Sequence, residues 1–340
     1  MSNIKLTSMV KTSGCAAKLP PKKLEEILRT LPSYKSPQLL DDFSKNEDAL
    51  VYDLGESKVM AQSVDFFPPM VDDPYTFGQV AAANAISDIY AMNCEPNIAL
   101  NLLCFPACLE DEVMKQILKG GFDKAIEANC IIAGGHTISD ATPKYGLCVT
   151  GFGKKESLWK NHGAKIGDTL VLTKKIGVGV INTATKADLI SDDLREEGIK
   201  SMITLNKKAR DAAAKYNISC ATDVTGFSLI GHSIEMVNKE NYSIEIDSKK
   251  VPFFNGVIDL AKFGLLPEGM YHNRDFSNNK VTYKNNIPIE VVDLLHDPQT
   301  SGGLLLSLKE DDATKLVNEL DDAWIIGKVI KKEKTPLVIV

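Results

Sequence analysis

The chain has 340 residues, with 39 Lys and Arg against 45 Asp and Glu, a formal charge of −6, and 44% hydrophobic residues. That length predicts about two globular domains with real cores, and the acidic balance excludes the broad basic surface of sequence-independent nucleic-acid binding. The most apolar tract, Ile98 to Leu109, is broken by Asn101 and Pro106 and falls far short of the roughly 20 residues of a membrane span. No secretory h-region opens the chain, and its seven cysteines form no CxxC or paired ligand pattern, so a cytoplasmic protein with reduced thiols is expected.

Residues 1–47 read as a mobile arm with little apolar area to pack. It carries one helix opened by Pro20 and Pro21, with Leu24, Ile27, Leu28 and Leu31 at helical spacing. Within it, Ser13-Gly14-Cys15-Ala16-Ala17-Lys18 sets a thiol three residues from an ammonium. That arrangement can give a cysteine thiolate character, although an unremarkable thiol in a tail is the plainer reading of the residue types alone.

From residue 48 the texture is that of a compact α+β unit. Strands are predicted over 49–54 and 58–64, a helix over 76–93, a strand over 97–104, a helix over 110–128, and strands over 129–133 and 144–152. The polar stretch 154–167 reads as a junction. Beyond it come a strand over 168–173, helices over 178–188 and 196–216, a strand running into Asp223, a helix over 227–239 and a strand over 242–247. A helix over 288–295, a strand over 303–308, a helix over 310–321 and strands over 324–330 and 336–340 complete the chain. The fold class expected is α+β, with two α/β-layered domains at 48–155 and 156–340.

The helix FGQVAAANAISDIYAM (77–92) is apolar apart from a few residues, among them Asn84 and Asp88, which at i and i+4 project from one face. A carboxylate buried without a partner is costly, so an acid here should be paired or bind metal. Asp48 where the loop enters a strand, Asp65 at the end of VMAQSV and Asp223 after ISCAT join it as acids at junctions. One such acid is an ordinary surface feature, whereas four suggest a polyacidic pocket suited to more than one Mg²⁺ around a nucleotide. A phosphate also needs backbone donors, for which Gly134-Gly135-His136-Thr137 after CIIA is a moderate candidate. KKIGVG is a weaker one, and the turn 297–303 (DPQTSGG) reads as structural.

Taken together, GCAAK, EDALVYDL, QSVDFFPPMVDDPYTFG, AAANAISDIYAM, AGGHTI, ATDVTGFSLIGH and DPQTSGGLLL resemble the selenophosphate synthetase (selenide, water dikinase) family, in order and over nearly the whole chain. That family lies within the aminoimidazole ribonucleotide synthetase-like ATP-binding superfamily. The resemblance implies two domains of that type, a homodimer, and conversion of ATP, selenide and water to selenophosphate, AMP and phosphate with Mg²⁺. It implies Cys15 and Lys18 as catalytic residues and Asp48, Asp88 and Asp223 as metal ligands. Lys18, Lys45, Asn46, Glu47, Asp65, Asn84 and Asp88 would bind ATP, joined by Gly135, His136 and Thr137 from the other subunit. A selenium-delivery protein is a further expected partner, while neither nucleic acid nor membrane is.

Two departures from the family pattern bear on mechanism. The arm often reads Gly-Cys-Gly-Cys-Lys, and Ala17 here excludes a mechanism that needs a cysteine pair; the acidic pair before the first strand is Glu47-Asp48, which keeps both charges. The rival readings are a superfamily enzyme with another acceptor, of the thiamine-monophosphate kinase or aminoimidazole ribonucleotide synthetase kind, and a catalytically silent nucleotide-binding paralogue.

Overall fold

The computed structural model describes residues 5–19, 23, 27, 28, 30, 36–41, 47–237 and 240–340. In the N-terminal half, strands β1 (Leu39–Asp41), β2 (Leu50–Gly55) and β3 (Lys58–Phe67) are followed by helix α1 (Pro74–Ala91) and strand β4 (Glu95–Phe105). Helix α2 (Asp111–Glu127) and strands β5 (Ile131–Ser139) and β6 (Lys144–Lys154) complete it. The sheet runs β1-β2-β3-β6-β4-β5, antiparallel except for the β4–β5 edge pair.

Helix α1 starts where the sequence stops it from starting earlier. Asp73 caps it by accepting from the Thr76 N–H, and Pro74 occupies the first helical position. Its apolar residues run all round the helix because it is covered on all sides, by β3, β6 and α2 from its own half and by elements of the C-terminal half. Glycines let α1 and α2 touch. A Cβ at Gly78 would lie 2.0 Å from the Ile117 carbonyl oxygen, and one at Gly120 would lie 2.0 Å from that of Tyr75. This close crossing fixes Asn84, Ser87 and Asp88 at the seam between the two halves.

The C-terminal half contains β7 (Thr169–Leu172), α3 (Val178–Lys186), α4 (Asp192–Ile203), α5 (Lys207–Ala213), β8 (Ile218–Asp223), α6 (Ser228–Met236) and β9 (Tyr242–Ile246). After these come α7 (Val257–Lys262), α8 (Glu268–Ser277), β10 (Val281–Tyr283), α9 (Ile289–Leu295), β11 (Leu304–Leu308), α10 (Glu310–Glu319), β12 (Trp324–Lys331) and β13 (Leu337–Ile339). Its mixed sheet runs β10-β13-β9-β12-β7-β11-β8. β8 and β11 pair with Asp223 opposite Leu304, so the carboxylate at the end of β8 sits beside the turn that leads into β11.

The two α/β-layered domains match the expected fold class, with four differences of detail. The helix expected over 196–216 is two helices, because Thr204 adopts an extended conformation and the Asn206 side chain bonds elsewhere in the core. Helices α7 and α8 and strand β10 fall in a stretch for which no element was expected. Strand β5 continues through Gly134-Gly135-His136-Thr137, expected to be a loop, because Gly135 through Thr137 pair with Asn101 through Leu103 of β4.

The arm is the fourth difference. Leu6 is fully buried, the Thr7 hydroxyl donates to Asp72, Lys186 donates to the Val10 carbonyl at 2.6 Å, and the Gly14 N–H donates to the Pro68 carbonyl at 3.0 Å. Residues 5–19 are therefore docked, with more buried apolar surface than their sequence led us to expect. Most of the helix expected after Pro20, including Leu24 and Leu31, lies outside the described residues, as do Lys45 and Asn46.

Candidate active site

Three parts of the chain meet at Asn84, which is fully buried on α1. Its Nδ2 donates to Asp65 Oδ2 of β3 at 2.6 Å, and its Oδ1 accepts both the Cys15 thiol at 3.3 Å and the Ser301 N–H at 2.8 Å. The amide cannot turn over without breaking these bonds, so its orientation is fixed by its partners. Asp65 in turn pairs with Lys18 Nζ at 3.4 Å. The arm's thiol and ammonium are thus both seated over one carboxamide–carboxylate pair.

Docking changes the chemistry expected of Cys15. Burial pushes its thiol up to about 12, with Lys18 opposing and Asp65 reinforcing the shift, so in this arrangement the sulfur is a neutral hydrogen-bond donor. The thiolate character anticipated from the nearby ammonium is overcome by desolvation. For Lys18, burial works against the charge, but Asp65 first and then Cys15, Asp88 and Asp223 outweigh it and raise the pKa. Its side chain keeps 36% of its surface accessible even though the ammonium is drawn in among these groups.

Below this pair lie the carboxyl groups of Asp48, Asp88 and Asp223. Burial raises each one's pKa well above or above the ordinary carboxylate value, and the Asp223 charge adds to the rise at both Asp48 and Asp88. Ser63 donates to Asp88 and Thr222 donates to Asp48 Oδ1, whereas Asp48 Oδ2 and Asp223 Oδ2 are buried with no hydrogen-bond partner among the described residues. Among the described residues no three His, Cys, Asp or Glu side chains are gathered tightly enough to enclose an ion by themselves. That combination fits Mg²⁺, which takes one or two carboxylates and leaves its other positions to water and phosphate oxygens. Asp48, Asp88 and Asp223 are the residues that could hold such ions.

The other residues expected at the site divide clearly. Glu47 is turned toward the interdomain junction, where it accepts the Asn161 N–H at 3.0 Å and pairs with His162. Gly135, His136 and Thr137 are on the exposed edge strand, in the row Asp65–Leu147–Asn101–Gly135 across β3, β6, β4 and β5. Three strand spacings put Gly135 about 14 Å from Asp65, so this chain does not bring the two together. The glycine serves the strand pairing instead: a Cβ at Gly135 would lie 2.3 Å from the Asn101 carbonyl oxygen.

KKIGVG is likewise no phosphate cradle, since Gln299 Oε1 accepts the Gly177 and Val178 N–H groups and Asp297 Oδ2 accepts that of Gly179. The turn 297–303, read as merely structural, proves to be a wall of the site through Thr300 and Ser301. Ser63, Ser87, Lys174 and Asn206 were also missed. The DPQTSGG run was their one visible sequence signal, and it points only to the turn. A cavity of about 270 Å³ lies behind that turn, lined by Lys174, Ser201, Thr204 and Asn206 among others, and away from the facing carboxylates.

Two α/β domains joined along a seam of buried acids are the architecture of a class, and two family models match those two domains. AIR synthase related protein, N-terminal domain, matches residues 46–154, and AIR synthase related protein, C-terminal domain, matches residues 165–340. The solved structure of AaThiL complexed with AMPPCP and TMP shares the fold, with a TM-score of 0.68 over 94% of this chain and 91% of that one at 16% identity. Two relatives narrow the class. Selenide, water dikinase from Clostridium botulinum (strain Alaska E43 / Type E3) is 51% identical over 99% of both chains. Its counterpart from Clostridioides difficile (strain 630) is 45% identical over 96% of both. The chain belongs to the selenide, water dikinase family.

The hub role of Asn84 gives a stability prediction. Asn84→Leu leaves the Ser301 N–H and an Asp65 oxygen without their buried partner and should cost about 3 kcal/mol in urea denaturation. A loss below about 1 kcal/mol would show that the amide is not the tie described.

Proposed function

We propose that this chain makes selenophosphate from ATP, selenide and water at the seam between its domains, releasing AMP and phosphate. Full-length similarity to selenide, water dikinases supports the reaction, and the carrying structural observation is the Cys15–Asn84–Asp65–Lys18 cluster above the buried acids. The stoichiometry requires two phosphoryl equivalents to leave the nucleotide, one ending on selenium and one on water. Phosphoryl transfer of this kind depends mainly on positioning and on neutralising charge.

Lys18 supplies a cation on the arm, with Asp65 as its counter-ion until phosphate oxygens arrive. Asp48, Asp88 and Asp223 hold Mg²⁺, which when bound neutralises charge on the phosphates. The closed arm excludes water from the acceptor, and the Cys15 sulfur is the soft group that faces selenide.

The reading is tested by following AMP formation from ATP and Mg²⁺ anaerobically, with and without selenide. Wild type should show selenide-dependent AMP, and Lys18→Ala should lose it by about 100-fold or more while keeping its fold. Selenide-independent turnover in wild type would favour an enzyme with another acceptor.

The ion-holding role of Asp223 predicts opposite effects with and without metal. Its carboxyl pKa is raised, so its contribution to folding is most favourable in acid and is lost as pH rises through the folded value. Asn in its place removes that penalty at neutral pH. Asp223→Asn should therefore raise the melting temperature of the metal-free protein by about 2–4 °C and abolish the rise that Mg²⁺ with ATP gives wild type. An undiminished Mg²⁺-dependent rise would refute the assignment.

The second subunit completes the site in this reading. The outer sheet face exposes Leu50, Val64, Phe66, Ile98, Leu100 and Ile131 side by side, and a contiguous apolar surface of this kind marks an interface. Gly135, His136 and Thr137 lie on the same sheet, too far from their own Asp65 to serve it, so a second copy is the occupant that uses both features. Light scattering should give twice 37.2 kDa for wild type, and Val64→Lys with Leu100→Glu should give monomer. A monomeric wild type at micromolar concentration would overturn the dimer.

A further inference from the structure

The turn between α9 and β11 is built more rigidly than a connection requires. Asp297 and Gln299 anchor its first half by filling the N-terminal N–H groups of α3. Its second half is pressed against the residue that follows β8, where a Cβ at Gly302 would lie 1.9 Å from the Val224 carbonyl oxygen. Ser301 sits between them at φ +51°, a left-handed conformation uncommon for serine. That residue is held on both sides, its N–H by Asn84 at 2.8 Å and its carbonyl by Lys174 Nζ at 2.8 Å. Asn206 Nδ2 adds a bond to the Gly302 carbonyl at 2.8 Å and a second to Ser87 at 2.8 Å.

What this rigidity presents to the arm is one hydroxyl. Thr300, only 3% exposed, accepts the Cys15 N–H on Oγ1 at 3.2 Å. A Cβ at Gly14 would come within 2.5 Å of the same oxygen, so the arm backbone rests directly on it. With the Cys15 backbone tied to Thr300 and its thiol tied to Asn84, two bonds to two different domains define where the sulfur stands.

We infer that Thr300 is a positioning residue for Cys15: its hydroxyl registers the arm so that the sulfur is delivered to Asn84, and the turn 297–303 is the receiver for the arm. The inference deepens the selenophosphate reading, and its catalytic readout rests on that reading. Lys174 and Asn206 act behind the turn, holding Thr300 in place from the cavity side. The same seat keeps Cys15 buried, 1% exposed, and so shields its sulfur from electrophiles.

The test compares Thr300→Val, which keeps the shape and removes the hydroxyl, with Thr300→Ser, which restores it. Two quantities are read: the kcat and ATP KM of selenide-dependent AMP formation, and the rate at which N-ethylmaleimide labels Cys15, followed by peptide mass spectrometry. Thr300→Val should lower kcat about tenfold or more with ATP KM changed less than about twofold, and should raise Cys15 labelling about tenfold. Thr300→Ser should return both to within about threefold of wild type.

Wild-type kcat in Thr300→Val, a fall in kcat without faster labelling, or faster labelling with full turnover would each overturn the assignment. Should Thr300→Val not fold, Gly14→Ala acts on the same contact from the arm, its Cβ meeting the Thr300 hydroxyl before it meets Met70. It must then speed Cys15 labelling, and unchanged labelling would count against the inference. If wild type makes no selenide-dependent AMP, the selenophosphate reading fails, and the labelling comparison still decides whether Thr300 seats the thiol.

Discussion

The constraint on which this structure depends is the burial of Asp48, Asp88 and Asp223 within one another's field. Like charges drawn from β8, α1 and the approach to β2 do not gather spontaneously, and desolvation makes each of them harder to ionise. The surrounding structure answers that cost only in part: Ser63, Ser87 and Thr222 donate to these carboxyl groups, while one oxygen each of Asp48 and Asp223 has no partner among the described residues. The remaining demand for positive charge is what a cation and a nucleotide would meet together. Lys18 on the arm is the protein's own contribution to the same balance, reaching Asp65 at the rim of the acidic group.

The arm and the seam therefore belong to one electrostatic unit. Asn84 is the neutral element that joins them, since a carboxamide can accept from a thiol and donate to a carboxylate without adding charge to a crowded site. A carboxylate at that position would add a fifth acid, directly against Asp65, and an apolar residue would strand its neighbours. The amide gives the neutral thiol an acceptor beside several carboxyl groups, while burial and those carboxyl groups keep the sulfur protonated.

Much of this was legible in the sequence, and the limits follow from physics. The i and i+4 spacing of Asn84 and Asp88 in an apolar helix put both on one face, and the penalty for burying an acid led to the expectation that Asp88 is paired or binds metal. Burial raises its pKa, and Ser63 donates to it. Asp48 and Asp223 could be suspected from their places at strand ends, yet only the register of β8 against β11 shows which turn Asp223 faces. Gly134 to Thr137 lie in a paired strand and not in a loop, a difference the sequence hides because a glycine pair looks alike whether it admits a ligand or a neighbouring strand, and here Asn101 packs against Gly135. Glu47 could not be placed from its neighbour Asp48, because its partners Asn161 and His162 lie more than 100 residues away in sequence. Thr300 and Ser301 were hidden for a different reason: their importance lies in contacts more than 200 residues distant in sequence.

The glycine contact between α1 and α2 has an implication for how sequences of this kind can drift. Because the two helix backbones touch at Gly78 and Gly120, α1 has no slack in the direction of α2, and a side chain introduced at either point would lever the entire helix toward the opposite half. Asn84, Ser87 and Asp88 would travel with it as one rigid comb, so a change remote from every reacting atom would misalign thiol, carboxylates and turn at once. Two hydrogen atoms in place of side chains thus set the tolerances of the whole machine.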